Sequence, residues 1–266
     1  MRLEPIAPGS TLDLGDEAAH APAGAPGKDE AVAETERLAR RVDELQEALY
    51  AEGRRALLIV LQGRDTAGKD GTIRKLFGPL DPLGLTITSF KAPSPIELAH
   101  DYLWRIHQRT PGKGEIAVFN RSHYEDVLVV RVHDIVPKAV WSRRFDQINA
   151  FEEFLTSSGT TIVKFFLWID RDEQKARFQA RLDDPTKNWK FRLGDLEERK
   201  RWDDYVAAYE DVLAKCSTAA APWYVIPANR KWFRNLAVAD ILADTIEAMK
   251  PAYPPTTEDL SNVVIE

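Results

Sequence analysis

Residues 56–71 read Ala56-Leu57-Leu58-Ile59-Val60-Leu61-Gln62-Gly63-Arg64-Asp65-Thr66-Ala67-Gly68-Lys69-Asp70-Gly71. An apolar run of strand length ends at a glycine, and Gly63, Gly68 and Lys69 keep the Gly-x-x-x-x-Gly-Lys spacing of a phosphate-binding loop. The glycines let the backbone curl until successive N–H groups converge on one anion, and the positive end of the following helix adds to that field. Arg64, Thr66, Ala67 and Asp70 belong to the same cradle, and Lys69 supplies a cation for the terminal phosphates. The loop departs from the common form at Asp70, which stands where a Ser or Thr usually ligates Mg²⁺. Asp65 offers an acidic oxygen instead, since hard divalent cations favour carboxylates. The competing reading makes Asp65 a turn residue bonded to its own backbone. Two acids inside a loop built for anions repel the ligand unless a cation intervenes.

Working outward, apolar strands are expected at Leu57–Gln62, Leu85–Phe90, Ile116–Asn120, Thr161–Ile169 and Trp223–Ile226, with helical stretches between them. After Pro137, Phe145, Ile148, Phe151 and Leu155 mark one helical face. The alternation implies an α/β fold, a parallel sheet flanked by helices on both sides. Ligands in such sheets sit at the carboxyl ends of the strands, where both Gly63 and Arg121 fall. Ahead of the sheet, Leu38, Val42, Leu45 and Leu49 recur at helical spacing, with Gly53 as the stop. The Pro-, Gly- and Ala-rich stretch before that helix reads as disordered. The expected organisation is a tail over 1–34, one domain over 35–250 with a lid at about 171–201, and a C-terminal tail over 251–266.

The whole chain narrows the function classes. Its 266 residues are 44% apolar and carry a formal net charge of −6, which argues against a general nucleic-acid binder. No apolar run approaches membrane-spanning length, the N-terminus lacks a positive-then-apolar signal, and the single cysteine, Cys216, excludes an internal disulfide. A cytoplasmic location without a membrane partner is the expectation.

A second constellation comes off the third strand: Asn120-Arg121-Ser122-His123-Tyr124-Glu125-Asp126. Arg121 would meet a phosphate through its planar fork, and Asp126 could hold Mg²⁺ or orient an acceptor phosphate. If a helix begins near Ser122, Asp126 lies four residues on and shares its face. Ser122 and Glu125 read equally as a capping box. His123 reads as a packed histidine, because phosphoryl transfer needs positioning and charge neutralisation more than a base. The third constellation follows Ile169: Lys175, Arg177, Arg181, Lys187, Lys190 and Arg192, interrupted at Asp184-Pro185. It reads as a lid closing on phosphates, or as a solvated face given the interspersed acids.

Three segments together resemble the polyphosphate kinase 2 family: Gly63–Gly71, Phe119–Asp126, and Asp183-Asp184-Pro185-Thr186-Lys187-Asn188-Trp189-Lys190. Trp202-Asp203-Asp204-Tyr205 and Trp223-Tyr224-Val225-Ile226-Pro227-Ala228-Asn229 fit as well, so the resemblance spans about residues 35–250. It implies a P-loop kinase fold related to thymidylate kinase, with a helical lid, and Mg²⁺-dependent, reversible phosphoryl transfer between inorganic polyphosphate and a nucleotide. By position, Asp65, Lys69 and Arg121 match the family's loop acid, lysine and second-motif arginine. Arg177, Arg181, Lys187 and Lys190 match its basic lid. Many relatives carry Asp where this chain has Asn120, which leaves Asp126 as the candidate second metal ligand beside Asp65. The form Asn-Arg-Ser-His-Tyr-Glu-Asp looks like the subgroup that phosphorylates both AMP and ADP, with guanine nucleotides as further candidates. Family members commonly associate, which implies a homo-oligomer.

A polyphosphate groove must present cations in a row, and Lys69, Lys75, Lys91, Arg121, Arg131, Lys138, Arg143 and the lid cations could supply it. Lys91 follows the second strand and so falls at the ligand edge. The rivals are an ATP-dependent nucleoside monophosphate or small-molecule kinase on the same fold, and a non-catalytic phosphate-binding module.

Overall fold

The structure, a computed structural model, describes residues 3–258 and 263–265. Residues 1–2, 259–262 and 266, which belong to the expected terminal tails, lie outside the described residues.

Five strands form one sheet: β1 (Ala56–Gly63), β2 (Leu85–Ser89), β3 (Ile116–Asn120), β4 (Thr160–Trp168) and β5 (Trp223–Pro227). Their order is β2-β3-β1-β4-β5 and every pairing is parallel. The expected strands therefore stand within a residue or so of the observed ones. β1 is buried along its whole length because it has neighbours on both edges and helices on both faces. A strand in that position needs apolar residues at every position rather than at alternate ones.

The pleat divides β1 between two cores. Leu58 and Val60 pack with helices α3 (Arg144–Ser157) and α6 (Trp202–Cys216) through Phe145, Ile148, Tyr209 and Leu213. Leu57, Ile59 and Leu61 pack on the other face with α1 (Lys28–Glu52) and α7 (Lys231–Met249). Leu38, Val42, Leu45 and Leu49 are the buried stripe of α1, which ends where Gly53 adopts φ 61°. From β1 the chain builds outward to β2 and β3 on one side, then crosses back to β4 and β5 on the other. The carboxyl end of β1 is thus the switch point where a crevice opens. There the chain turns into helix α2 (Lys69–Leu76). Helices α4 (Arg171–Leu182) and α5 (Gly194–Lys200) follow β4. Among the described residues, no helix is long and apolar enough to cross a membrane.

One expectation is corrected. The segment ahead of α1, read as disordered, lies along β5 and α6. Leu14 and Ala19 are buried, Ile6 N donates to Trp223 O, Ser217 Oγ donates to Ile6 O, and Trp168 Nε1 donates to Gly15 O. Its composition cannot form a core of its own, but a few apolar residues complete a core that distant elements build, and local composition cannot register that.

Candidate active site

The loop after β1 is held from behind. Arg177, on α4, commits all of its N–H groups: Nε to Glu173 Oε1 (2.7 Å), Nη1 to Thr66 O (2.9 Å) and Ala67 O (3.0 Å), Nη2 to Ala228 O (2.6 Å) and Asn229 O (3.1 Å). Arg234, on α7, lies directly beneath the loop, donating Nη1 to Ala67 O at 3.4 Å, and is only 3% exposed. With loop carbonyls engaged from the rear, N–H groups are what such a turn presents to an anion. Burial, helped by the charge of Arg177, pushes the Arg234 guanidinium down to about 10. Gly68 takes φ 110°, and a Cβ there would stand 1.8 Å from Arg234 Nη1. Gly63 is required by closeness as well as by its φ of 156°, because its Cβ would meet Leu167 O at 2.7 Å. Thr66 takes φ 68°, a left-handed conformation uncommon for a β-branched residue and found where neighbours over-determine it.

The mouth of the loop gathers charged groups of both signs. Lys69 folds back, donating Nζ to Gly63 O (2.5 Å) and Arg64 O (3.3 Å), and is 9% exposed. Burial and then the charge of Arg121 bring its ammonium down to about 8, against the pull of Asp65, Glu125 and Asp70. Arg121 leaves β3 at φ 64°, donates Nη2 to Asp65 Oδ1 at 2.7 Å and approaches Glu125 Oε2 at 3.5 Å. Glu125 first, and then Asp65, hold its guanidinium above the usual range, with burial opposing. Asp70 accepts from Asn120 Nδ2 at 2.9 Å and is approached by Lys190 Nζ at 3.5 Å. Burial opposes ionisation of Asp70, but Asn120 and Lys190 outweigh it and hold the carboxyl below its ordinary value. The loop's departure at Asp70 and the departure at Asn120 therefore answer each other: an aspartate at 120 would set two carboxylates against one another where an amide now donates.

Asp65, Lys69, Asp70, Arg121 and Lys190 are thus brought together, while other candidate residues are placed elsewhere. Arg64 points away from the mouth. Its guanidinium lies 4.4 Å from the centre of the Trp202 ring and 4.7 Å from that of Tyr205, and donates to Trp202 O and Glu198 O. Burial lowers its pKa, and a buried aromatic slot takes the place of the phosphate expected there. Arg177 supports the loop rather than facing a ligand. Arg131 pairs with Asp211 at 2.5 Å over the Trp141 ring. Asp126 accepts from Arg144 Nη1 at 2.8 Å, and burial raises its carboxyl despite that partner. The reason is the local geometry of residues 123–126, which form a 3₁₀ turn and not an α-helix. At three residues per turn, Glu125 falls over Ser122, and Asp126 is rotated off that face. The side chain of Ser122 accepts from Tyr124 N, so the expected capping box does not form. Lys187 pairs with Asp184 in solvent, Arg181 lies over the Phe178 ring and reaches Lys190 O at 3.5 Å, and Lys91 is exposed.

Sequence reasoning missed Glu125 as the acid facing Arg121, and missed Arg234. The signal for Arg234 was present: it occupies the face of α7 that continues through Ala237, Val238 and Ile241, all buried. A charged residue on an apolar stripe needs a polar partner inside the protein.

Arg131 being occupied leads to a specific expectation. Arg131→Gln should leave kcat and KM for a phosphate-donor substrate within about twofold, read by steady-state kinetics, whereas a groove cation would raise KM severalfold.

Comparison with known proteins adds a second line. Residues 26–254 match the family described as polyphosphate kinase 2. The chain is 53% identical over 240 residues to an AMP/ADP-polyphosphate phosphotransferase of Meiothermus ruber, covering 90% of each chain. It is 47% identical over 229 residues to an ADP-polyphosphate phosphotransferase of Rhodopseudomonas palustris, covering 82% of this chain and 79% of the relative. A crystal structure of polyphosphate kinase 2 from Arthrobacter aurescens TC1 superposes with a TM-score of 0.92 at 43% identity, covering 98% of this chain and 96% of that one.

Proposed function

The chain belongs to the polyphosphate kinase 2 family, and we infer from that membership and from the loop's geometry that it transfers phosphoryl groups reversibly between inorganic polyphosphate and AMP or ADP. The observation that carries the reading is the mouth itself: Arg121 and Lys190 reach acids of the one phosphate loop whose carbonyls hold Lys69, which supports bringing two polyanions end to end among fixed cations. In the free protein, Arg121 and Lys190 rest on Asp65 and Asp70, and Lys69 rests on backbone carbonyls. Incoming phosphate oxygens exchange for those partners, and the loop backbone, braced by Arg177 and Arg234, keeps its curvature while they do.

Mg²⁺ is the proposed cofactor. The donor set fits a hard cation: Asp65 and Glu125 offer carboxylate oxygens beside Arg121. Among the described residues no group of three or more acids, histidines or cysteines could hold a metal alone. That suits Mg²⁺, which keeps several waters and completes its shell with substrate phosphates. When bound, it screens the charge shared by donor and acceptor.

The remaining steps belong to the protein. Lys69 and the loop hold the terminal donor phosphate, Arg121 orients the acceptor, and both exclude the slack that would leave the reacting oxygens out of line. The segment 183–193, which carries exposed Trp189 and Leu193 together with Lys190, closes over the phosphates and displaces water. No covalent enzyme intermediate is needed. Incubating the protein with Mg²⁺, polyphosphate and AMP, then separating the nucleotides by chromatography, should yield ADP followed by ATP. Product formed with ATP as donor but not with polyphosphate would overturn the reading in favour of an ATP-dependent kinase. No product with either donor would leave a phosphate-binding module.

A further inference from the structure

The turn that follows β3 faces two ways. Arg121 and Glu125 point to the mouth of the loop, while His123 and Tyr124, between them in sequence, are wholly buried. The buried pair meets one carboxylate. Glu152, on α3, accepts from Tyr124 OH at 2.8 Å, and its Oε1 lies 3.1 Å from His123 Nε2. Behind them stands Lys164, in the middle of β4 and fully buried. Its Nζ uses all three donors: Glu152 Oε2 at 2.5 Å, Cys216 O at 2.7 Å and Tyr124 OH at 2.8 Å.

Nothing in the transfer reaction uses this network, and stability does not account for it. A buried ion pair is costly to desolvate, and well-packed apolar residues of similar volume often serve as well or better. Burial drives the Lys164 ammonium downward even with Glu152 beside it. The Glu152 carboxyl stays below its ordinary range only because Lys164 and His123 outweigh its burial. What the network does secure is direction. Arg121 sits at φ 64°, a conformation a non-glycine residue keeps only when its surroundings impose it. On one side Arg121 N donates to Leu61 O at 3.0 Å. On the other, two of the next three side chains are anchored to Glu152.

We propose that Lys164 and Glu152 are positioning residues: through Tyr124 and His123 they fix the turn at residues 121–126 and so aim Arg121 at Asp65 and the bound phosphates. The proposal rests on the transfer reading above for its kinetic consequence. It is distinct from a substrate contact, since neither Lys164 nor Glu152 is exposed to the crevice.

Two variants test it. Tyr124→Phe removes one hydroxyl and keeps the ring, and the double change Glu152→Met with Lys164→Met replaces the pair by linear apolar chains. Each is measured alone and combined with Arg121→Ala. Thermal midpoints within a few degrees of the parent are expected, with kcat reduced about tenfold or more and KM for AMP changed less than about twofold. Added to Arg121→Ala, either change should lower kcat by no more than about twofold further, because the group being aimed is already gone. A merely structural role would instead multiply the losses, and multiplied losses, or wild-type kcat in a folded variant, would overturn the proposal. Should the methionine pair fail to fold, Tyr124→Phe and its combination with Arg121→Ala decide alone. A parent protein that forms no product from polyphosphate would sink the transfer reading instead. The positioning claim would then be judged by the crystal structure of Tyr124→Phe, where an Arg121–Asp65 contact retained at 2.7 Å would overturn it.

Discussion

Lys69→Met should lower kcat by about a hundred- to a thousandfold, the scale on which one preorganised charge at a transferring group acts, while the protein stays folded. The second half of that expectation follows from the ammonium's surroundings. Lys69 is buried with its ammonium pushed down to about 8 from the ordinary 10.5. A group whose folded pKa is depressed carries its cost at every pH below the folded value, and the cost is relieved as pH rises from about 8 to 10.5. At pH 7 that difference of roughly two and a half units corresponds to about 3 kcal/mol held against the free protein. Removing the charge with an apolar chain of similar length gives some of this back, offset by the bonds lost to Gly63 O and Arg64 O. A melting curve at pH 7 should therefore show the variant no less stable than its parent. Lost activity together with a collapsed midpoint would contradict this account.

The same group sets the alkaline limb of activity. kcat/KM reports groups in the free enzyme, and there Lys69 loses its proton as pH rises through about 8. kcat/KM for polyphosphate should fall across that range. A bound polyanion favours the charged form, so the limb in kcat should lie at higher pH. A kcat/KM profile flat to pH 10 would show that the charge of Lys69 is not what the donor meets.

Gly68→Ala is expected to have the second large effect, for a steric reason. The added carbon would stand 1.8 Å from Nη1 and 2.8 Å from Cζ of Arg234, at φ 110°, where an L side chain is strained whatever the space. Arg234 cannot swing into solvent, being buried within α7. The buried Arg234 side chain, the loop or the helix must shift while the strain at positive φ remains, at about 2–4 kcal/mol together, and thermal unfolding should drop by several degrees for a chain of this size. Turnover should fall further than stability explains, because the loop's N–H groups move with the backbone. Combining the change with Arg234→Ala separates the two causes. Clash relief should restore part of the midpoint, while the strain at positive φ and the lost support beneath Ala67 O keep activity low. Full recovery of both would show that Arg234 braces nothing.

The turn after β3 shows where sequence reading reached its limit. The segment was singled out by its place at a strand end, and Arg121 is where that reasoning put it. Helical spacing points to Asp126, whereas the 3₁₀ turn brings Glu125 to Arg121 and leaves Asp126 on Arg144. Four residues are too few for a periodicity to declare itself, and the side chains of His123 and Tyr124 are held by Glu152, a residue far along the chain. The lid cations show the same limit differently. Lys190 reaches the loop, yet Arg177, one turn of helix from Arg181, is consumed by backbone carbonyls.

What the sequence determined alone is the frame: five strands, their parallel arrangement with helices on both faces, and the phosphate loop at the end of β1. Those features rest on local rules, an apolar run bounded by glycine and a change of periodicity from strand to helix, which operate over a handful of neighbouring residues. What only the tertiary structure decided is the employment of the charges. Arg177 finds Thr66 across 111 positions of chain and Arg234 finds Ala67 across 167. A long cationic side chain takes whichever acceptor the packed elements bring within a few ångströms, and desolvation then forbids it to remain unpaired. Whether an arginine meets substrate or braces the loop that does so is therefore settled by where α4 and α7 dock around that loop, each sending an arginine to its carbonyls, a relation that no local stretch of residues encodes.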